Sequence, residues 1–255
     1  MQRSPAVRAR RCSSSRPTRS RRRSGRSLTR LKPRRIVVLG GEDAVSASVY
    51  QQLAAFTTGG VVRIAGLDRY ETSAAISKSG FAPARPVVYV ANGSNFPDAL
   101  SGAAVAGSQG APVLLVRDDV IPAAIATELA RLKPGRIVVL GGESSVGAAV
   151  FEQLKALTTG AGAVTRIAGD DRFATSAAIS AATFAPGLPV VYLASGSNFP
   201  DALSGAAVAG DADAPILLTR ADNIPAVVQA ELDRLRPGKI VVLGGEDSVN
   251  GSILP

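Results

Sequence analysis

The chain has 255 residues, with 29 Lys+Arg against 20 Asp+Glu, 46% hydrophobic residues, one Cys, and neither His nor Trp. That length supports one to three buried cores. The missing residue types exclude a Ser-His-Asp or Cys-His nucleophile, imidazole-held zinc, an intrachain disulfide and an iron–sulfur cluster. Aromatics at 4% argue against a groove that stacks sugars or bases, and the net charge of +9 suggests a polyanion partner only if it is spread over a folded surface.

The charge is concentrated at one end. Residues 1–27 hold ten Arg and no acid, which leaves 19 basic residues against 20 acidic ones over 28–255, a body of about −1. This segment is rich in Arg, Ser and Pro and poor in large apolar residues, so it is expected to be a disordered tail. Three readings stay open for it: a solvated arm for nucleic acid or acidic polymer, a targeting segment, or an incidental, misassigned start. It lacks the apolar stretch of a secretory signal, about 7–15 residues. Cys12 within it reads as an unpaired bystander. No run of about 18 apolar residues occurs, so no membrane span is expected.

Beyond the tail the chain repeats itself. Arg63-Ile64-Ala65-Gly66 recurs from Arg166, Ser94-Asn95-Phe96-Pro97-Asp98-Ala99-Leu100-Ser101-Gly102 recurs from Ser197, and Ala111-Pro112-Val113-Leu114-Leu115 recurs as Ala214-Pro215-Ile216-Leu217-Leu218. The stretch Arg136-Ile137-Val138-Val139-Leu140-Gly141-Gly142-Glu143 occurs three times, also from Arg35 and from Lys239. A period near 100 residues marks a duplicated domain and not a short solenoid repeat. The expected organisation is the C-terminal part of one module over 28–60, a complete module over 61–162, and a nearly complete one over 163–255.

In the complete module, 61–65, 87–91, 113–116 and 137–140 are short aliphatic runs bounded by turn residues, as buried parallel strands are. Ile121, Ile125, Leu129 and Leu132 form a helical stripe, with Pro122 at a first helical position. Val146, Val150, Leu154 and Leu157 form another, with Ser144 or Ser145 as N-cap. Val45, Val49, Leu53 and Phe56 repeat that stripe in the first fragment. Four βα units predict an α/β fold in which each module is a doubly wound parallel sheet with helices on both faces. The helix containing Ser101, Gly102, Ala103, Ala104, Val105, Ala106 and Gly107 has no bulky ridge, so something approaches its backbone closely: its own sheet, or a neighbouring module.

Together, RIAG-x-DR-[YF]-x-T, SNFPDALSGAAVAG, AP-[VI]-LL and RIVVLGG-x-x-SV resemble the cell wall binding repeat 2 family of Gram-positive surface proteins, over essentially all of residues 28–255. The resemblance implies tandem Rossmann/Toprim-like modules, usually three in a pseudo-threefold arrangement. It also implies an extracellular, non-catalytic anchor on anionic, teichoic-acid-like wall glycopolymer, with other repeat modules in cis or in trans as partners and no cofactor. No signal peptide is visible in the chain. The family's attachment motif maps onto Pro112, Val113, Leu114 and Leu115, and onto Pro215, Ile216, Leu217 and Leu218. Without the family, both segments read as buried strands.

Ligands of open parallel sheets gather outside the carboxyl ends of the strands. The residues there include Asp68 and Arg69, Ser94, Asn95 and Asp98, Arg117, and Gly142 and Glu143, with Arg172, Ser197, Asn198, Asp201 and Arg220 in the last module. Arg69, Arg172, Arg117 and Arg220 are the candidates for a phosphate or carboxylate, because a planar fork pairs with such groups bidentately. Structural readings compete with these: Asp68 and Asp98 as helix caps, and the Gly-Gly pair as a tight turn requiring positive φ. The rival function is a metal-dependent enzyme in which Asp68, Asp98 and Glu143 converge. No DxD spacing, phosphate-loop lysine or general base supports it. Nucleic-acid binding would be confined to the tail and is not expected of the body.

Overall fold

The structure is a computed structural model, and it describes residues 19–159, 163–198 and 200–253. The first eighteen residues of the Arg-rich tail, including Cys12, lie outside the described residues, as do Phe199 and Pro255. The rest of the expected tail is not irregular: α1 runs Arg19–Leu31. Arg is a good helix former, and from Gly25 on one face leans on Phe56, with half-buried Leu28 beside it. Lys32 at φ 45° and then Pro33 end the helix.

The chain divides into two compact units. In the first, β1 (Ile36–Leu39) pairs with β2 (Val61–Ile64), and α2 (Ala47–Leu53) lies between them in sequence. Ser46 caps α2 by accepting the Val49 N–H. A two-stranded sheet covers little, so Val49 in the expected apolar stripe is 39% exposed.

The second unit holds two sheets. The larger has the parallel order β4-β3-β5-β6, formed by β3 (Val87–Asn92), β4 (Val113–Val116), β5 (Arg136–Leu140) and β6 (Val164–Ile167). The smaller has the parallel order β8-β7-β9, from β7 (Val191–Ser195), β8 (Ile216–Thr219) and β9 (Ile240–Leu243). Sheet membership is out of phase with the sequence period. The four strands read as one module do not share a sheet: β2 pairs with β1, and the fourth strand beside β5 is β6, from the following repeat. Consecutive strands tend to be spatial neighbours, and β6 is the next strand after β5.

On one face of the larger sheet lie α3 (Arg69–Gly80), α5 (Ala123–Leu132) and α6 (Ala148–Lys155). Their side chains Tyr70, Ile125, Leu129, Val150 and Leu154 pack with Val88, Val90, Ile137 and Val139. Pro122 is the N-cap of α5, one position before the expected one. Gly147, not Ser144 or Ser145, caps α6. A charged network ties α5 to α3. Glu128, 4% exposed, accepts from Ser77 Oγ and from Arg131, whose Nη2 also donates to Phe81 O. The second repeat rebuilds it with Ser180, Glu231, Arg234 and Phe184, joining α7 (Arg172–Ala181) to α9 (Ala226–Leu235).

The small-residue helix α4 (Pro97–Ser108) covers the opposite face of the larger sheet. Both close approaches anticipated for it occur. A Cβ on Gly102 would lie 2.0 Å from Leu140 Cδ1 of its own sheet. At its far end, a Cβ on Gly107 would lie 3.1 Å from the Cα of Gly210 in α8 (Pro200–Asp211), the corresponding helix of the next repeat. The outer side of α4 packs on α7, α8 and β8, so Leu100 and Val105 join one core with Phe173, Ile179, Leu217 and Leu218. Each such side chain contributes about 1.5–3 kcal/mol on burial.

The Gly107–Gly210 crossing brings backbone against backbone, with Ala104 O also 3.2 Å from a Cβ on Gly210. No flexible side chain is there to yield. Gly210→Val is expected to lower unfolding free energy by about 1–3 kcal/mol in urea titration. Gly142→Ala, with nothing within 4 Å of its added Cβ, should stay within about 0.5 kcal/mol.

Candidate functional site

In the order β4-β3-β5-β6 the chain leaves β3 for β4 on one side and returns to β5 on the other. The crevice outside the carboxyl ends of β3 and β5 is therefore the usual ligand position. Here the protein fills it with its own polar groups. Asn92, at the end of β3, donates through Nδ2 to Ser145 O and accepts the Ser94 N–H. Asp98, in the first turn of α4 and 6% exposed, accepts from Ser145 Oγ at 3.1 Å. Gly141, at φ 95°, makes the sharp exit from β5, and a Cβ there would strike the Asp98 carboxylate. Gly141 of the Gly-Gly pair thus makes the tight positive-φ turn. Asp98 is a latch between α4 and the loop after β5, and Phe96 occupies the cap position. Burial pushes the Asp98 carboxyl up, opposed by the Ser145 hydrogen bond and the Arg172 charge.

The arginines lie to the side of this plug. Asp68 caps α3 by accepting the Glu71 N–H at 2.8 Å, which sets Arg69 at the first helical position. Arg69 Nη1 donates to Gly93 O at 2.7 Å, and its guanidinium lies 5.7 Å from the Phe96 ring centre. Arg117, exposed after β4, stacks on Tyr70 at 5.1 Å. The Tyr70 hydroxyl is 3.3 Å from Ser94 Oγ. Two guanidiniums thereby flank the Tyr70–Gly93–Ser94 junction.

The second repeat reproduces the cap, the carbonyl bond and the ring contact of this arrangement. Asp171 caps α7, Arg172 Nη1 donates to Gly196 O at 2.6 Å, and Arg220 stacks at 5.4 Å on Phe173, which stands where Tyr70 stood. Ser197 and Asn198 are exposed, and their N–H groups donate to Ser195 Oγ. Where the repeats meet, a cleft of about 180 Å³ is lined by Asn95 and Phe96 of one repeat and by Arg172, Ser195 and Ser197 of the other.

The two segments onto which the family's attachment motif maps lie deeper than a contact surface. Pro112 and Leu114 are buried, and Val113 and Leu115 are half-buried; Pro215, Ile216, Leu217 and Leu218 are all buried. In the second repeat this burial follows from the packing of α4 of the first repeat over β8. The three acids of the rival enzyme reading are not gathered: Asp68 is spent as a cap and Asp98 faces Ser145. Among the described residues no group of three His, Cys, Asp or Glu forms a metal cluster. None of the helices described is long and apolar enough to cross a membrane.

Sequence reasoning passed over the arginine of the RIAG motif. Arg166 donates to Gly141 O and Val146 O, both at 2.7 Å, and stacks on Phe151 at 5.0 Å. It braces the Gly-Gly turn. Arg63 is its counterpart, donating to Val45 O and stacking on Tyr50. The available signal was position: an Arg inside a strand motif, repeated in step with the GG turn.

The family description "Cell wall binding domain 2 (CWB2)" matches residues 63–151 and 166–254. Over 226 residues the chain is 26% identical to the N-acetylmuramoyl-L-alanine amidase LytC of Bacillus subtilis (strain 168), covering 89% of this chain and 43% of that protein. Over 191 residues it is 32% identical to the Amidase enhancer of the same organism, covering 75% of this chain and 25% of that one. Among solved structures, Cwp6 from Clostridium difficile superposes with a TM-score of 0.82 at 24% identity, over 89% of this chain and 36% of that one. Cwp8 from Clostridium difficile gives 0.74 at 26% identity, over 85% and 36%. The chain thus spans less than half the length of each.

The latch has a pH signature. With the Asp98 pKa raised on folding, the folded state holds its proton more tightly than the unfolded chain. That contribution is present below the unfolded value of about 3.9 and is lost as pH rises through the folded value. Asp98→Asn removes the titration. In thermal melts across a pH series, the variant is expected to gain Tm over the parent toward neutral pH, with the gain shrinking in acid. A gain that grows toward acid would contradict the assignment.

Proposed function

The chain belongs to the cell wall binding domain 2 family, and from that premise we propose that it is a non-catalytic anchor that attaches to anionic wall glycopolymer. It would work outside the cell, at the wall. The observation that carries this reading is the repeated pair of arginines. Arg69 with Arg117, and Arg172 with Arg220, stand at the same strand edge of two repeats, each pair held by a carbonyl and an aromatic ring.

A guanidinium that spends one donor on a backbone carbonyl keeps others in a fixed fork for a phosphate or carboxylate. Ser94, Asn95, Ser197 and Asn198 supply neutral polar groups beside them. Asn95 and Ser197 line the inter-repeat cleft together with Arg172, which suits a polymer strand crossing from one repeat to the next. Two modest sites on one scaffold bind a repeating polymer with avidity. Because the body carries about −1, attraction comes from these placed cations and not from an overall field. The matched relatives have most of their length outside the region this chain resembles, in keeping with an anchor joined to an effector.

In a sedimentation assay with purified walls, the chain is expected to pellet, to release as salt rises, and to do so equally without residues 1–18. Arg117→Ala combined with Arg220→Ala should weaken binding by about tenfold or more, since a hydrogen bond to a charged group contributes about 1.5–3 kcal/mol. Stability should fall by only about 1–2 kcal/mol for the two lost cation–π contacts. A folded double variant that binds walls like the parent would remove these arginines from the site.

A further inference from the structure

The two repeats differ at the end of their central strand. Asn92 of β3 turns both ends of its amide to the backbone, Nδ2 to Ser145 O and Oδ1 to the Ser94 N–H. Its counterpart in β7 is Ser195, which is 4% exposed and lines the cleft between the repeats. Ser195 Oγ accepts the Ser197 and Asn198 N–H groups at 3.2 and 3.3 Å. A serine hydroxyl has two lone pairs and one proton, so both acceptor positions are filled and the proton is left. Among the described residues that proton is donated to none. A buried donor at the wall of a cavity calls for an acceptor that a ligand brings.

Arg172 lines the same cleft. Gly196 O holds its Nη1, which leaves the other guanidinium donors of an exposed side chain. Phe96, Pro97 and Leu100 of the first repeat form an apolar wall, and Asn95 adds an amide. The volume of about 180 Å³ equals about six waters at roughly 30 Å³ each, the bulk of one sugar ring and not of a length of polymer. We propose that this cleft is a subsite for one anionic sugar unit, whose phosphate or carboxylate accepts from Arg172 and Ser195 while its ring lies against Phe96. Residue 195 is the specificity determinant. The first repeat has the matching arginine, Arg69, but Asn92 is engaged with the protein's own backbone. The subsite rests on the anchor reading, and it makes the two arginine pairs unequal.

The test is calorimetric titration of the full chain with four probes. Glucose 6-phosphate and glucuronate carry a phosphate or a carboxylate on one ring, while glucose and inorganic phosphate supply ring and charge separately. The wild type is expected to bind at least one charged sugar about tenfold or more tighter than glucose or inorganic phosphate, and the tighter of the two identifies the charged group. Ser195→Ala removes the donor, and Ser195→Asn rebuilds the arrangement of Asn92. Each, folded by circular dichroism, should weaken the charged sugar by about tenfold, the effect of one hydrogen bond to a charged group. A wild type that takes neither charged sugar overturns the proposal. So does equal affinity for inorganic phosphate, or a pair of folded variants that bind as the parent does. Pelleting of the same wild type on purified walls separates the two readings: a chain that pellets but takes no charged sugar keeps the anchor and loses the subsite.

Discussion

Everything in the second unit depends on one helix being thin. α4 lies between its own sheet and the next repeat, and it fits because Gly102 admits Leu140 on one side and Gly107 meets Gly210 on the other. Leu100 and Val105 then supply the apolar area at the two ends of the crossing. Those residues make the two sheets share a core, and the shared core aligns the strand edges that carry the arginine pairs. A bulkier helix would separate the repeats and divide the cleft that Asn95 and Arg172 line from opposite sides.

Much of this was legible in the sequence, for identifiable reasons. The strands followed from aliphatic runs between turn residues, and the stripes of α5 and α6 from helical periodicity, because burial and periodicity coincide there. The phase of the sheets was not legible: self-comparison yields a period, and pairing is decided by which strand edge comes next. Nor was the contrast between Leu100 and Leu203, 5% and 59% exposed, since identical residues in identical motifs differ only in what the rest of the chain places over them. The apolar stripe of α5 gives no sign of Glu128, whose charge is buried because Arg131 and Ser77 satisfy it.

The arginines show a division of labour that composition conceals. Arg166 spends two donors on backbone carbonyls and stacks on Phe151, so it serves the turn. Arg131 and Arg234 are committed to buried glutamates. Arg117 and Arg220 lie exposed on aromatic faces. The charge of +9 that opened the question belongs to none of these roles; what bears on a polyanion is which guanidiniums keep a fork turned outward. The Asn92–Ser145–Asp98 plug has the same effect on the map of the site, since it closes the strand crevice and shifts the reachable polar groups to its flanks.

The borrowing of β6 by the preceding sheet also sets how the chain responds to pulling. β5 and β6 are parallel neighbours, and a chain under tension from its two ends draws β5 from its amino end and β6 from its carboxyl end. The hydrogen bonds between them are then loaded together in shear instead of being peeled one at a time. The first complete repeat is clasped to the next by a strand in addition to side-chain packing, so that joint resists extension as a sheet does and not as a linker would.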